Sequence, residues 1–477
     1  MASAVGADLI LGGRGGSRRL PVLGSSADEP SMRFDSRPDL RPPGLKVSGE
    51  TAPPGALLLG PGSQAQLTQQ GPMLIDGRGE LVWFSPLAKG VWATNVSVAS
   101  YRGAPALAWW EGKVIAPGFG QGEAVIVDGA YRELARVRAG NGLQMDLHEL
   151  QLTAEGTALF TCYPPTVAAD LSAVGGPVDG RVQESVIQEV DLASGRVLVE
   201  WHSLDHIPVT DSYKPLGEPY DYLHVNSVSV APDGNLLVSA RHTWALYKLE
   251  RRTGRIMWQL GGKRSDFAMG RGARFSWQHD ARAVSNAEVT LFDDGSDGPQ
   301  TTESESRGLV LALDVSGRRV SVGRQYHHPH PLSASAMGSF QQLDDGHALV
   351  GWGTAPYVSE FGPDGTLLWD AELPPHLYTY RARRSSWVAT PSDRPAARVG
   401  AGVAGAARDL YVSWNGATAV THWMLSRGAR PDRLSPVGIA RRAGFETAIP
   451  IQRGGYVAAA ALDQSGRELA RSAPVRA

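Results

Sequence analysis

Along the chain, apolar and polar positions alternate over short runs instead of recurring every three or four residues. Runs such as LIDGRGELVWF (74–84), VSVAPDGNLLVSA (228–240) and FQQLDDGHALVGW (340–352) place an Asp-Gly or Gly-rich turn between two β-prone stretches. A period of two predicts strands, and Asp-Gly between them predicts hairpins. Hardly any window of a dozen residues carries a helical repeat, so very little helix is expected.

The hairpins also repeat. One unit ends in Trp after a turn (GRGELVWF, TGRIMWQL, PDGTLLWD), and it follows a hairpin built as apolar strand, turn, apolar strand. Four strands per unit repeated around a centre predict an all-β fold, a six-bladed β-propeller over 61–395. Its units start near 71, 104, 146, 224, 279 and 339, with an insertion around 164–182. A pair of β-sandwiches is the alternative architecture. Residues 400–477 predict a small separate β-sandwich of the fibronectin type III or immunoglobulin sort. Residues 1–60, rich in Gly, Pro, Ser and Arg, form an arm. A strand near LKVSG (45–49) is expected to complete the C-terminal sandwich.

Composition narrows the function. With 477 residues, 42% apolar and 20% charged, the chain can bury a large core. A formal charge of −2 gives no global field favouring nucleic acid or an acidic membrane. No run of 18 apolar residues exists to span a bilayer. The N-terminal AVGADLIL is short and interrupted by Asp8, which predicts no cleavable export signal in this chain and a cytoplasmic location as written. The single cysteine, Cys162, excludes an intramolecular disulfide and is expected to be a buried small hydrophobe.

Aligned by their turns, three segments come into phase: LHELQLTAEGTALF, LHVNSVSVAPDGNLLVSA and QHDARAVSNAEVTLF. Each begins a unit, so His148, His224 and His279 are expected to meet at one mouth of the central channel. Asn226 shares the face of His224, and Arg241 ends the following strand. Imidazoles, a guanidinium and an amide converging without carboxylates predict an anion site. Glu149 and Asp280 are expected to point away from the channel. Three histidines could instead hold zinc, but an arginine in the same site opposes a cation. His327, His328 and His330 read as a loop, and Asp293–Gly298 as a hairpin turn rather than a calcium loop. No metal or organic cofactor is expected.

On LHELQLT, HVNSV, LLVSARHT, ALYKL, IMWQLGGKRSDF, FSWQHDAR and TLFDDG, the chain resembles the arylsulfotransferase (aryl-sulfate sulfotransferase) family over roughly 140–380. It is more similar to the branch found in actinobacteria and fungi than to the bacterial periplasmic enzymes. The resemblance implies a six-bladed propeller that moves a sulfuryl group from a small-molecule aryl sulfate donor to a phenolic acceptor. It also implies a ping-pong route through a sulfohistidine, without the nucleotide donor PAPS. His279 matches the histidine that becomes sulfated, His224 and Asn226 the H-x-N pair, Arg241 the anion-binding arginine and His148 the earlier channel histidine. His148 is then the expected proton donor and acceptor for the phenols. Two other readings stay open on the residues: a hydrolase or cyclase acting on an anionic or phenolic metabolite, and a non-catalytic binding propeller.

Overall fold

In a computed structural model of the chain, residues 31–49, 52–63, 68–116, 118–403 and 408–477 are described. The Gly/Arg-rich start of the arm and the AVGADLIL segment lie outside them. The described residues are almost entirely strand, turn and loop, with three short 3₁₀ turns as their helices.

Among the described residues the strands before the C-terminal sheets fall into successive antiparallel units, the second and third joined in one eight-stranded sheet. The second consists of Trp92–Tyr101, Ala104–Ala116, Phe119–Val127 and Glu133–Val137. The third is Met145–Leu152, Thr157–Cys162, Val186–Asp191 and Val197–His202. The fourth runs Val225–Val230, Leu236–Ala240, Ala245–Leu249 and Ile256–Gly261. The fifth runs His279–Ser285, Glu288–Asp293, Arg307–Asp314 and Arg319–Tyr326. The sixth is Ser339–Gln342, Ala348–Gly351, Tyr357–Phe361 and Leu367–Glu372. The first unit is composite: Arg383–Ser385, from late in the chain, pairs with Ala56–Leu59, which pairs in turn with Met73–Ile75 and then Leu81–Phe84.

The apolar clusters show why this array closes into a ring. Alternate residues of a strand enter opposite faces: Leu57 and Leu59 pack with Leu349, Val358 and Trp369 of the sixth unit, while Leu58 packs with Val96, Leu107 and Trp109 of the second. Similar clusters join the second unit to the third, third to fourth, fourth to fifth and fifth to sixth. Because both faces of each sheet are buried, the middle strands read as continuous apolar runs such as LLVSA.

The innermost strands carry the site, and four of them break register. Shifts fall between Thr94 and Ser97, Met145 and Leu150, Val225 and Ser227, and His279 and Arg282. Asn95, His224 and Asp280 have φ of 57°, 56° and 53°. A bulge inserts an extra residue and re-aims its neighbours, so strict alternation fails here. Glu149 and Asp280 therefore do not turn away from the channel; both are buried within it, and Glu149 lines its cavity.

The C-terminal residues form two antiparallel sheets over one apolar core. One contains Ala396–Ala401, Arg408–Ser413 and Glu446–Pro450; the other is centred on His422–Arg430 and Tyr456–Leu462. Asn415 clamps them to the first unit, accepting from the Phe84 N–H and donating to the Phe84 carbonyl at 3.0 and 2.9 Å.

Three boundaries differ from expectation. Lys46–Gly49 is a strand, but it adds to the outer edge of the sixth unit beside Leu367–Glu372 and not to the C-terminal sheets. The arm reaches the C-terminal sheets through Ser36, whose N–H donates to Glu446 at 2.5 Å. The arm also ends before residue 60, because Ala56–Leu59 is wholly buried in the first unit. The second unit starts at Trp92, as the long hairpin after it hides the first strand in a run of small residues.

Candidate active site

His148 sits midway along its inner strand, His224 just before Val225–Val230, and His279 at the first position of its strand. All three are buried. The Nε2 atoms of His148 and His224 lie 3.1 Å apart, with the rings edge to face. The Tyr380 ring stands between this pair and His279, with centroids 5.5 Å from His148 and 6.3 Å from His279. Its hydroxyl donates to the Asn226 carbonyl at 2.9 Å.

The sequence reading gave the site no carboxylates. The structure puts one behind each imidazole. Asp146 Oδ2 contacts His148 Nδ1 and accepts the His148 N–H; Asp221 Oδ2 lies 2.6 Å from His224 Nδ1, and Asp294 Oδ2 lies 2.7 Å from His279 Nδ1. A carboxylate on Nδ1 fixes the tautomer and directs the Nε2 lone pair forward. For His279 that assignment is independently supported, because its Nε2 accepts the Met337 N–H at 3.2 Å.

The electrostatics follow from burial. Burial, then the Arg241 guanidinium, hold His279 well below the ordinary histidine range. Burial likewise lowers His224 against the pull of Asp221, and lowers His242 strongly. Burial also pushes Asp294 well up, with Arg241 opposing. Asp221 is driven the other way, to about 2: burial works against its charge, but His224 and His242 outweigh it.

Arg241 lies over the Trp277 ring, 5.0 Å from its centroid. Its Nη2 donates to the Ser335 carbonyl at 2.7 Å and its Nη1 sits 3.0 Å from His242 Nε2. Its Nε is buried without a partner among the described residues, which leaves a donor for a ligand. Asn226 spends its amide N–H on the Gln278 carbonyl, at 2.6 Å, so it holds the backbone one residue ahead of His279. Asn226 Oδ1 is buried without a partner among the described residues. Phe119, at the tip of the long second-unit hairpin, packs on His224 and on Tyr163 and roofs this mouth.

A cation could approach Asp221, His224 and His242, whose ligand atoms lie within 4.8 Å of one another. Arg241 sits on the same cluster and opposes a positive ion. The other histidine cluster disperses: His327 Nδ1 faces Glu305 at 3.2 Å and His328 Nε2 faces Asp370 at 3.3 Å.

The model of the arylsulfotransferase (ASST) family matches residues 98–373, more than half of the chain and all three histidines. The chain belongs to the arylsulfotransferase family. No curated protein matches it. Among solved structures, a protein of unknown function from Bacteroides caccae shares 15% identity at a TM-score of 0.43, covering 69% of this chain and 98% of that one. A catalytically inactive virginiamycin B lyase from Staphylococcus aureus with quinupristin shares 10% at 0.36, covering 78% and 96%. TolB from Acinetobacter baumannii shares 11% at 0.36, covering 69% and 67%.

Several site residues of this arylsulfotransferase family member were missed from sequence. Asp146 stands two residues before His148 and Asp221 three before His224, so a carboxylate just upstream of each histidine was the available signal. Asp294 comes from the next strand's end, and its neighbours Gly295–Gly298 disguised it as turn chemistry. Tyr380 and Arg381 come from the segment that closes the ring, far along the chain, and nothing local marks them.

Proposed function

We propose that the ring of six units is a six-bladed propeller carrying a sandwich-like C-terminal domain, and that it transfers a sulfuryl group between phenols through His279. The supporting observation is the buried His279 imidazole, its Nδ1 held by Asp294 at 2.7 Å, its Nε2 accepting the Met337 N–H, and its charged form disfavoured by burial and then by Arg241. A buried neutral imidazole with a fixed tautomer is a nucleophile.

In the first half-reaction Nε2 of His279 attacks sulfur. An N–S bond forms, the S–O bond to the donor breaks, and the phenolate departs. The Nε2–Nε2 contact between His148 and His224 needs one N–H, since each Nδ1 already faces a carboxylate. That shared proton is the one the pair gives to the leaving phenolate. The second half-reaction is the reverse: the pair takes the acceptor's proton as its oxygen attacks sulfur, and His279 leaves. Charge on the sulfuryl oxygens meets the free Arg241 Nε–H and the Met337 N–H, which moves from the Nε2 lone pair to an oxygen. Asn226 acts through Gln278 as a positioning residue.

The test is incubation with 4-nitrophenyl sulfate followed by intact-mass analysis. A sulfuryl adduct on the wild-type chain, absent from His279→Asn, supports the reading. Nitrophenol release without any adduct, retained in His279→Asn, overturns it.

A further inference from the structure

Glu149, Gln151 and Leu152, after His148, and Arg282 and Val284, after His279, face an opening apart from the histidines. There a cavity of about 570 Å³ opens, lined by Glu149, Gln151, Arg282, Val284, Arg381 and Arg383. It lies beyond the histidines, none of which line it.

The charges at its floor do not balance. Asp280 Oδ1 receives Arg282 through Nε at 3.0 Å and Nη2 at 2.8 Å and Arg383 Nη2 at 2.6 Å, and forms an ion pair with Arg381, whose Nε lies 3.1 Å away. Its Oδ2 is taken by the Phe340 N–H at 3.0 Å. Glu149 accepts Arg381 Nη1 and the Leu150 N–H on one oxygen, and Arg282 Nη2 and the Val228 N–H on the other. Both carboxylates are thus saturated, yet three guanidiniums face two of them. Asp344 stands exposed at the rim, where water screens it.

We infer that this second mouth binds a small oxyanion, of the sulfate or phosphate class, between Arg282 and Arg383. Of the three arginines that line the cavity these two are the more exposed, their side chains at 22% and 19% against 3% for Arg381. Arg282 Nη1 also meets the Val228 carbonyl at 3.4 Å and Arg383 Nη1 the Ala382 carbonyl at 3.2 Å, which leaves the second Nη1 hydrogen of each to meet an oxygen of a tetrahedral anion, and the partly desolvated cavity strengthens the pairing. Burial lowers Arg383 despite Asp280 beside it, as expected of a cation short of counter-charge. The site is separate from the histidine mouth and does not depend on the sulfuryl-transfer reading.

Isothermal titration of the full chain with sodium sulfate, at ionic strength held constant with sodium chloride, tests this. Saturable binding is expected, weakened about tenfold or more by Arg383→Gln. Val284→Glu provides a second variant: Val284 is 43% exposed on the cavity wall, so a carboxylate there does not disturb the core. It places a fixed negative charge in the cavity and should abolish binding while the melting temperature holds. Inorganic phosphate should bind comparably, and acetate more weakly. No saturable sulfate binding, or an affinity unchanged in Val284→Glu, overturns the inference. Neither result bears on whether His279 carries a sulfuryl group.

Discussion

His148 and His224 meet Nε2 to Nε2 at 3.1 Å, each braced from behind by its own aspartate. Two lone pairs cannot make that contact, so one proton is shared between the rings. A shared proton matters most when the departing phenolate is strongly basic. His148→Gln is expected to slow transfer from sulfate esters of poorly acidic phenols by about 10²–10⁴-fold, and transfer from 4-nitrophenyl sulfate much less. Plotting kcat against the leaving phenol's acidity checks this; parallel lines for the two proteins would remove the pair from proton transfer.

Arg241 acts on His279 through charge, in addition to the substrate role proposed for it. Only the neutral imidazole attacks, and burial with Arg241 holds the folded-state value well below the ordinary 6.5. The acid limb of donor turnover is therefore expected well below pH 6.5, since His279 stays unprotonated there. Removing the guanidinium takes away a repulsion on the imidazolium, which raises the pKa. Arg241→Gln should thus move the acid limb toward neutrality in addition to lowering kcat/KM. A pH profile of single-turnover adduct formation separates the two effects. A lowered rate with an unmoved limb would leave Arg241 a role in binding alone.

The middle strands were legible because burial on both faces writes itself as apolar runs between Asp-Gly turns, as in VSVAPDGNLLVSA. The three histidines stand at different positions on their strands: His148 midway along, His224 one residue before and His279 at the first position. What stayed hidden depends on departures from alternation. The register shifts between Met145 and Leu150 and between His279 and Arg282 break strict alternation, so Glu149 and Asp280 entered the channel against a period-two reading. Ring closure was equally silent: Arg383–Ser385 pairs with Ala56–Leu59 across more than three hundred residues, and no local pattern encodes that partner.

Arg381 ties the floor of the site together. It is sealed from solvent and bonds Glu149 Oε1 at 2.7 Å, Asn95 Oδ1 at 2.7 Å and the Asn226 carbonyl at 3.0 Å, with Asp280 at 3.1 Å. Truncation would leave Asn95 Oδ1 and the Asn226 carbonyl without this donor and Glu149 one partner short, so Arg381→Ala is expected to cost about 1–3 kcal/mol in denaturant unfolding. Adding Glu149→Gln removes the buried charge that lost a partner and should recover part of that loss. A double variant no more stable than Arg381→Ala would show that Glu149 keeps adequate partners in Arg282 and the backbone.

Gly338 couples packing to His279. Its φ of +104° favours glycine, and a Cβ built there would fall 2.3 Å from the buried Phe292 ring. The preceding residue supplies the N–H on His279 Nε2, and Gly338 N–H donates to the Tyr380 carbonyl at 3.2 Å. Gly338→Ala is expected to cost about 2–4 kcal/mol from strain and overpacking together. It should also slow sulfuryl-enzyme formation, because the Met337 amide is carried away from the oxyanion position. Phe292→Leu makes room for the new methyl, so the double variant should regain stability. The rate should return only as far as the Met337 amide returns. Rapid-quench measurement of adduct formation on both variants reads that amide directly. Stability restored with the rate already normal in Gly338→Ala would mean the N–H merely rests on His279 and takes no part in transfer.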